Sequence, residues 1–255
     1  MTAKYDSYRV WCVLLFALAT TSAGAQHAGD SVHAAAGAAR AMSGGDRSAA
    51  HAKHLAWTPV RALTRRDSVR AMAIADTLRR AIARYTDTAE AMRAGYKLFA
   101  PQVKEQAVYH FTNNAAGLLA AFRFDPSRPT SLLYRKDTTG ALRLTGAMYT
   151  APARYTATQL NARVPLAAAQ WHQHVNLCVP LDDVELDKLR RGESSSRFGL
   201  TGDIADRAAC EKAGGRFLPR IYGWMVHANV FDGSGVRDVW ETATSHDNSR
   251  AAHKH

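Results

Sequence analysis

The chain has 255 residues, of which 47% are hydrophobic and 22% charged, and it carries a formal net charge of +11. This basic balance suits an anionic envelope component, another polyanion or a partner protein, although a simple solvated basic surface is the alternative. The arginines are scattered along predicted helices, with no long basic run and no nucleic-acid-binding motif, which excludes specific nucleic-acid recognition.

Residues 1–25 have the three parts of a signal peptide. Lys4 and Arg9 give a positive start, residues 10–19 are apolar, and Ala23-Gly24-Ala25 is a cleavage pattern of small residues. We expect cleavage after Ala25 and a periplasmic or extracellular location, with an uncleaved membrane anchor as the alternative. Cleavage removes Lys4, Arg9 and Asp6, so the charge falls by one from +11 to +10. No later segment approaches the roughly 20 apolar residues of a transmembrane helix.

Residues 26–56 consist mainly of alanine, glycine, serine and histidine. Such a segment buries too little apolar surface to offset its ordering entropy, so we predict a disordered linker with solvated histidines, His54 among them. Residues 57–244 have the length and patterning of a single α+β domain. Residues 245–255 are polar and predict a flexible tail.

The first predicted element of the domain is a long amphipathic helix. Thr64 and Asp67 have the spacing of a capping box, and Gly95 can end the helix. Between them, apolar residues recur every three or four positions, which places them on one face. These residues are Val69, Met72, Ala75, Leu78, Ile82, Tyr85, Ala89, Met92 and Tyr96.

The pattern then changes to alternation with a period of two, which predicts strands. The predicted strands cover residues 103–113, a hairpin over 130–150 that turns at Asp137–Gly140, residues 170–179 and residues 221–231. Short helices are expected over 182–192 and over 201–215, the second capped near Thr201. The fold class is therefore α+β, with a long N-terminal amphipathic helix packed on an antiparallel sheet, either open or barrel-like.

The stretch "WHQHVNLC", residues 171–178, carries the strongest chemical signal. On a strand, His172, His174, Asn176 and Cys178 share one face, opposite Trp171. The two histidines lie about 6.5–7 Å apart along the strand, and both imidazoles can reach one ion at about 2.0–2.1 Å. The pattern predicts a transition-metal site, for which Zn, Cu, Fe and Mn are all suitable by ligand type. Histidines that merely hydrogen-bond within the fold are the alternative.

The remaining ligands must come from other strands. His227 is the best third ligand, and His110 is the next candidate. Asn176, Asn113 and Asn229 are expected to line the site. No Asp or Glu lies within the histidine strand, so no general base is evident and no reaction is assigned.

Two cysteines, Cys178 and Cys210, remain after signal cleavage. An isolated pair in an exported protein favours a disulfide. A metal ligand at Cys178 or a free thiol are the alternatives.

Several strings, in this order, resemble a family of uncharacterised exported bacterial proteins with HYxN-like, DPxxPxxLLY, GAxYxxP, WHxHxNxC and GWMxH motifs. The strings are "YHFTN" (109–113), "FDPSRPTSLLY" (124–134), "LTGAMYTAPA" (144–153), "WHQHVNLCVP" (171–180), "CEKAGGRF" (210–217) and "GWMVHANVF" (223–231). The resemblance implies a secreted domain without an assigned reaction.

Two functions are therefore expected from different classes. The first is an exported metal-binding domain with a strand-borne His-x-His pair. The second is a non-catalytic envelope module that binds a polyanion or a partner protein. A metal-free serine hydrolase is disfavoured because Ser194-Ser195-Ser196 lacks the G-x-S-x-G elbow.

Overall fold

A computed structural model describes residues 52–193 and 195–241. The predicted signal peptide, residues 26–51 of the predicted linker and the tail 245–255 lie outside the described residues. Within the described ranges, no helix is long and apolar enough to cross a membrane.

The predicted long helix is two helices. α1 (Arg65–Ile82) begins at Thr64, whose hydroxyl accepts a hydrogen bond from the backbone N–H of Asp67, as predicted. A 3-10 turn follows at Ala83–Thr86, and Tyr85 leaves the helical conformation at φ −94° and ψ 32°. The Asp87 side chain then accepts from the N–H of Ala89 and starts α2 (Thr88–Arg93). The single continuous helix was wrong because a side-chain cap at Asp87 competes with backbone continuation.

Seven strands form one antiparallel sheet in the described part of the chain. They are β1 (Leu55–Trp57), β2 (Lys97–Leu98), β3 (Tyr109–Thr112), β4 (Ser131–Lys136), β5 (Leu142–Ala151), β6 (His172–Pro180) and β7 (Gly215–Ala228). Their order is β1-β6-β7-β5-β4-β3-β2, with β1 and β2 as the edges. The sheet is thus open, and the barrel alternative was wrong because these two edges do not pair.

The hairpin of β4 and β5 confirms the prediction for residues 130–150. Asp137 accepts hydrogen bonds from the backbone N–H groups of Thr139 and Ala141, which fixes the turn. The strand predicted over 103–113 is shorter than expected and comprises only Tyr109–Thr112. The side chain of Gln106 donates to the carbonyls of Ala100 and Val103 and holds the preceding segment as a loop.

The domain begins earlier than the sequence predicted. β1 begins in the last two residues of the predicted linker and pairs antiparallel with β6, Trp57 opposite His172. His54 is buried rather than solvated, and its Nε2 lies 2.8 Å from the carbonyl oxygen of Gly202. Few large apolar residues precede β1, so backbone pairing with β6 supplies the order that composition did not predict.

The described part of the chain has five further short helices, of which the last follows β7: α3 (Asn114–Ala120), α4 (Ala157–Arg163), α5 (Asp183–Arg190), α6 (Arg207–Lys212) and α7 (Val236–Val239). α5 confirms the helix predicted over 182–192. α6 is capped by Asp206 instead of Thr201 and is correspondingly shorter than predicted.

One face of the sheet packs against α1 and contains the main core. The buried face of α1, with Leu78 and Ile82, joins Leu132, Tyr134 and Trp171 from the sheet side in one apolar cluster. Trp171 is fully buried in it, as its place in the alternation predicted. Side chains that point the other way along the same strands therefore lie on the opposite face.

A disulfide joins Cys178 on β6 to Cys210 on α6, with Cα atoms 5.6 Å apart. The disulfide prediction is confirmed. Cys178 is consequently unavailable as a thiolate ligand, which removes one of the alternatives for the histidine strand.

Candidate metal centre

The histidine side of the sheet is built by strand register. His172 on β6 pairs with Met225 on β7, so both side chains lie on the face opposite α1. His227 follows Met225 by two residues and therefore lies on the same face. Two of the predicted ligands are thus brought together by ordinary antiparallel pairing.

A carboxylate that the sequence analysis missed joins them. After α7 the chain returns beside the end of β7, where Trp240 bridges to Ala228 and the N–H of Glu241 donates to the carbonyl of His227. Trp240 and Ala228 belong to the core beneath α1. Because neighbouring residues alternate between faces, Glu241 lies on the histidine face.

His172, His227 and Glu241 form a buried group whose ligand atoms all lie within 4.8 Å of one another. Their exposed fractions are 1%, 8% and 7%. Oε2 of Glu241 lies 2.7 Å from Nδ1 of His227 and 3.4 Å from Nδ1 of His172. An imidazole nitrogen and a carboxylate oxygen approach this closely only with a proton or a cation between them.

The donor set fits a small transition-metal ion. Ligand atoms about 2.0–2.1 Å from one ion stand about 2.9 Å apart in cis octahedral geometry and about 3.3 Å apart in tetrahedral geometry. The two observed N···O distances, 2.7 and 3.4 Å, bracket those values. Two imidazoles and one carboxylate are used by hydrolytic zinc sites and by non-haem iron sites.

His110 approaches this group from a distant strand. Its ring centroid lies 5.6 Å from that of His227, and the His227 and His172 centroids are 5.3 Å apart. β3 and β7 are separated in the sheet by β4 and β5. In a flat sheet the backbones of these strands would stand about 14 Å apart, so the two imidazoles reach toward each other over the intervening strands.

The ring of His110 is held from one side. Its Nδ1 lies 3.2 Å from the carbonyl oxygen of Val108. Burial, and after it the neighbouring His227, lower the pKa of His110 to about 3. The imidazole is therefore neutral at ordinary pH. Within the described residues, Nε2 of His110 and Nε2 of His227 are buried and have no hydrogen-bond partner.

His174 is near the group but outside it. The ring centroid of His174 lies 5.5 Å from that of His172. In the β6–β7 pairing, however, His174 lies opposite Ile221, which departs from the register set by the His172–Met225 pair. β7 contains extra residues here, and Tyr222 has a φ of +62°. This bulge changes the register between the two histidines, and the ligand atoms that converge within 4.8 Å are those of His172, His227 and Glu241. That His174 shares an ion with His172 stays a prediction.

The predicted site-lining asparagines make contacts that stabilise turns and helix ends. Asn113 caps α3 by accepting from the N–H of Ala116. Asn176 has a φ of +58° and donates to the carbonyl of Lys53 ahead of β1. Asn229 follows β7, where its N–H donates to the carbonyl of Val239.

The surroundings of the group are apolar. Leu133, Met148 and Met225 form a buried cluster, and their strand partners place them on the histidine face. Such surroundings lower the local dielectric constant and strengthen the attraction between a cation and the Glu241 carboxylate.

Glu241 escaped the sequence analysis because it lies 69 residues from His172 and in no histidine motif. The available signal was the string "VWE", in which two buried apolar residues precede a carboxylate. Comparison of the chain with protein-family models, with curated proteins and with solved structures gives no match.

Proposed function

We propose that this protein binds a single transition-metal ion through His172, His227 and Glu241. The observation that carries the proposal is the convergence of two buried imidazoles and one buried carboxylate within 4.8 Å. Zn, Fe, Mn and Cu are the candidate ions by ligand type.

Burial supports this proposal energetically. A carboxylate removed from water costs free energy unless a positive group or several hydrogen bonds compensate it. A divalent cation bound by Glu241 and two neutral imidazoles supplies that compensation. Three protein ligands also leave open coordination positions, as catalytic metal sites do, where an ion can polarise a substrate or a bound water molecule.

We further propose that the metal-binding domain is exported. The signal-peptide pattern of residues 1–25 and the Cys178–Cys210 disulfide support a periplasmic or extracellular location. The resemblance of several strings in the chain to exported bacterial proteins supports the same proposal.

The second candidate is a non-catalytic envelope module that binds a polyanion or a partner protein. The net charge of +11 favours it. Its binding would fall with ionic strength and would not depend on the buried histidines.

Metal content of the purified protein tests the first candidate. The protein is isolated from the bacterial periplasm without chelators, and bound metal is measured by plasma mass spectrometry against a His172→Ala/His227→Ala variant. Histidines in the chain termini are present in both proteins, so their adventitious metal cancels in the comparison. We expect about one ion per chain more in the original protein. Equal metal content in two folded proteins, after supply of Zn, Fe, Mn and Cu, would contradict the proposal.

A further inference from the structure

The short helix α3 has an inverted distribution of side chains. Its larger residues point outward, with Leu118 and Leu119 66% and 50% exposed, and Phe122 just beyond the helix 80% exposed. Its inner side holds the small residues Ala116, which is buried, and Gly117, where a Cβ would lie 3.2 Å from the Thr130 side chain. Surface helices usually place their large apolar residues inward, so this clustered exposure indicates a binding surface.

A basic cleft adjoins this helix. The cleft has a volume of about 340 Å³ and includes Arg84, Arg128 and Tyr96 among its lining residues, together with Ala115 and Ala116 from the first turn of α3. The lining residues include no Asp or Glu. Two guanidinium groups at one cleft can bind the oxygens of a phosphate group.

The charge around the apolar residues is positive. Arg123 directly follows Phe122 and is exposed, as are Arg84 and Arg128. Asp125 is an acid in this segment, and its carboxylate accepts from the N–H and hydroxyl of Ser127 within the same loop. A second copy of the chain would bring the same positive rim and be repelled, whereas an anionic surface complements it.

We propose that Leu118, Leu119, Phe122 and the arginines around them form a docking surface for anionic phospholipid membranes. The three apolar side chains enter the boundary between headgroups and acyl chains, and the cleft between Arg84 and Arg128 receives a lipid phosphate. Apolar insertion combined with electrostatic attraction is the general mode of interfacial membrane binding. The surface is separate from the metal centre and does not depend on the proposed metal function.

Co-sedimentation with lipid vesicles tests this surface. One set of vesicles contains equal parts of phosphatidylglycerol and phosphatidylcholine, and the other contains phosphatidylcholine alone. We expect binding to the anionic vesicles and a loss of about tenfold or more in the Leu118→Ser/Leu119→Ser/Phe122→Ser variant. The Arg84→Gln/Arg128→Gln variant should bind more weakly and depend less on salt. Leu181→Ser/Val184→Ser, at residues 66% and 63% exposed on another segment, should bind as the original chain does.

A local probe separates this surface from other membrane contacts, such as those of apolar residues 10–19. Leu119→Cys and Val184→Cys are each made in a chain that carries Cys12→Ser, and the introduced thiol is labelled with an environment-sensitive dye. Cys178 and Cys210 do not react with the dye, because they form a disulfide. Anionic vesicles should shift the emission at position 119 to shorter wavelength and leave position 184 unchanged. The proposal would be overturned by no shift at position 119 or by an equal shift with neutral vesicles. A change in oligomeric state in the triple-serine variant would also overturn it, in favour of self-association. A shift that inorganic phosphate alone produces would overturn it in favour of a free-anion site.

Discussion

The imidazole rings of His110 and His227 lie 5.6 Å apart although two strands separate β3 from β7. On the intervening strand β5, Gly146 lies close to the backbone at the end of β7. A Cβ at Gly146 would lie 1.9 Å from the carbonyl oxygen of Ala228. The absence of a side chain at Gly146 therefore permits the close approach of β5 to the end of β7, beside the candidate metal centre.

Gly146→Ala should destabilise the protein and weaken the metal centre. The added methyl group meets backbone atoms, which cannot rotate away, so we expect a loss of about 1–3 kcal/mol in the free energy of unfolding. Thermal and urea unfolding measure this loss. Gly117→Ala is the matched control, because its Cβ would meet only a side-chain methyl group at 3.2 Å. Equal stability of both variants would show that the close approach at Gly146 is relieved without cost.

Glu241→Gln should abolish tight metal binding. The amide keeps the size of the side chain but removes the charge that faces His172 and His227. Loss of a carboxylate that only orients a ligand costs about 10–100-fold in affinity, so a larger loss, measured by competition with a chromogenic chelator, assigns Glu241 as a ligand. A loss of only about 10–100-fold would instead show that Glu241 orients the imidazoles and does not contact the ion.

His110→Ala and His174→Ala should each retain the ion, with affinities within about tenfold of the original protein. The ligand group consists of His172, His227 and Glu241, and neither substituted side chain belongs to it. Isothermal titration with the ion found in the purified protein gives the affinities. A large loss of affinity in His110→Ala alone would indicate that the ion lies on the Nε2 side of His227. A large loss of affinity in His174→Ala alone would support the predicted His-x-His pair as ligands of the ion.

Acid should destabilise the metal-free protein through His110. Its folded pKa of about 3 lies below the unfolded value near 6.5, so the unfolded state binds the proton first. Stability is therefore full above about pH 6.5 and falls toward pH 3, by at most about 1.4 kcal/mol per pH unit from this group.

The measurement is urea unfolding between pH 7 and 4 in the presence of a chelator. His172, His227 and Glu241 lie beside the same ring, so His110→Leu is compared with the original chain. The variant should show a shallower loss of stability with falling pH. Identical slopes would mean that His110 does not contribute to the acid sensitivity.

Removal of the disulfide should lower stability without emptying the metal centre. Cys178 and Cys210 are 32 residues apart in sequence, a loop for which the chain-entropy model gives about 4 kcal/mol. The Cys178→Ala/Cys210→Ala variant should therefore unfold at a lower urea concentration and still contain the ion below its melting temperature. Loss of metal from the folded variant would show that the disulfide and the centre are coupled.

Local pattern was sufficient for several parts of this protein. The alternation in "WHQHVNLC" predicted a buried Trp171 and an opposite-facing His172, and both are observed. The turn at Asp137, the cap at Thr64 and the Cys178–Cys210 pair also followed from short-range chemistry. The first features depend on side-chain periodicity and on hydrogen bonds between near neighbours, which the sequence displays directly. The disulfide followed from the number of cysteines left after signal cleavage.

Tertiary structure alone decided which side chains meet at the centre. The bulge near Tyr222 set the register of His174, the arrangement of the strands brought the rings of His110 and His227 to 5.6 Å, and the return of the chain beside β7 placed Glu241 beside two histidines. The sequence by itself therefore determined the α+β class, the disulfide and the strand that carries His172. Register and long-range pairing determined which side chains form the candidate ligand group, because each depends on the packing of segments that are distant in the chain.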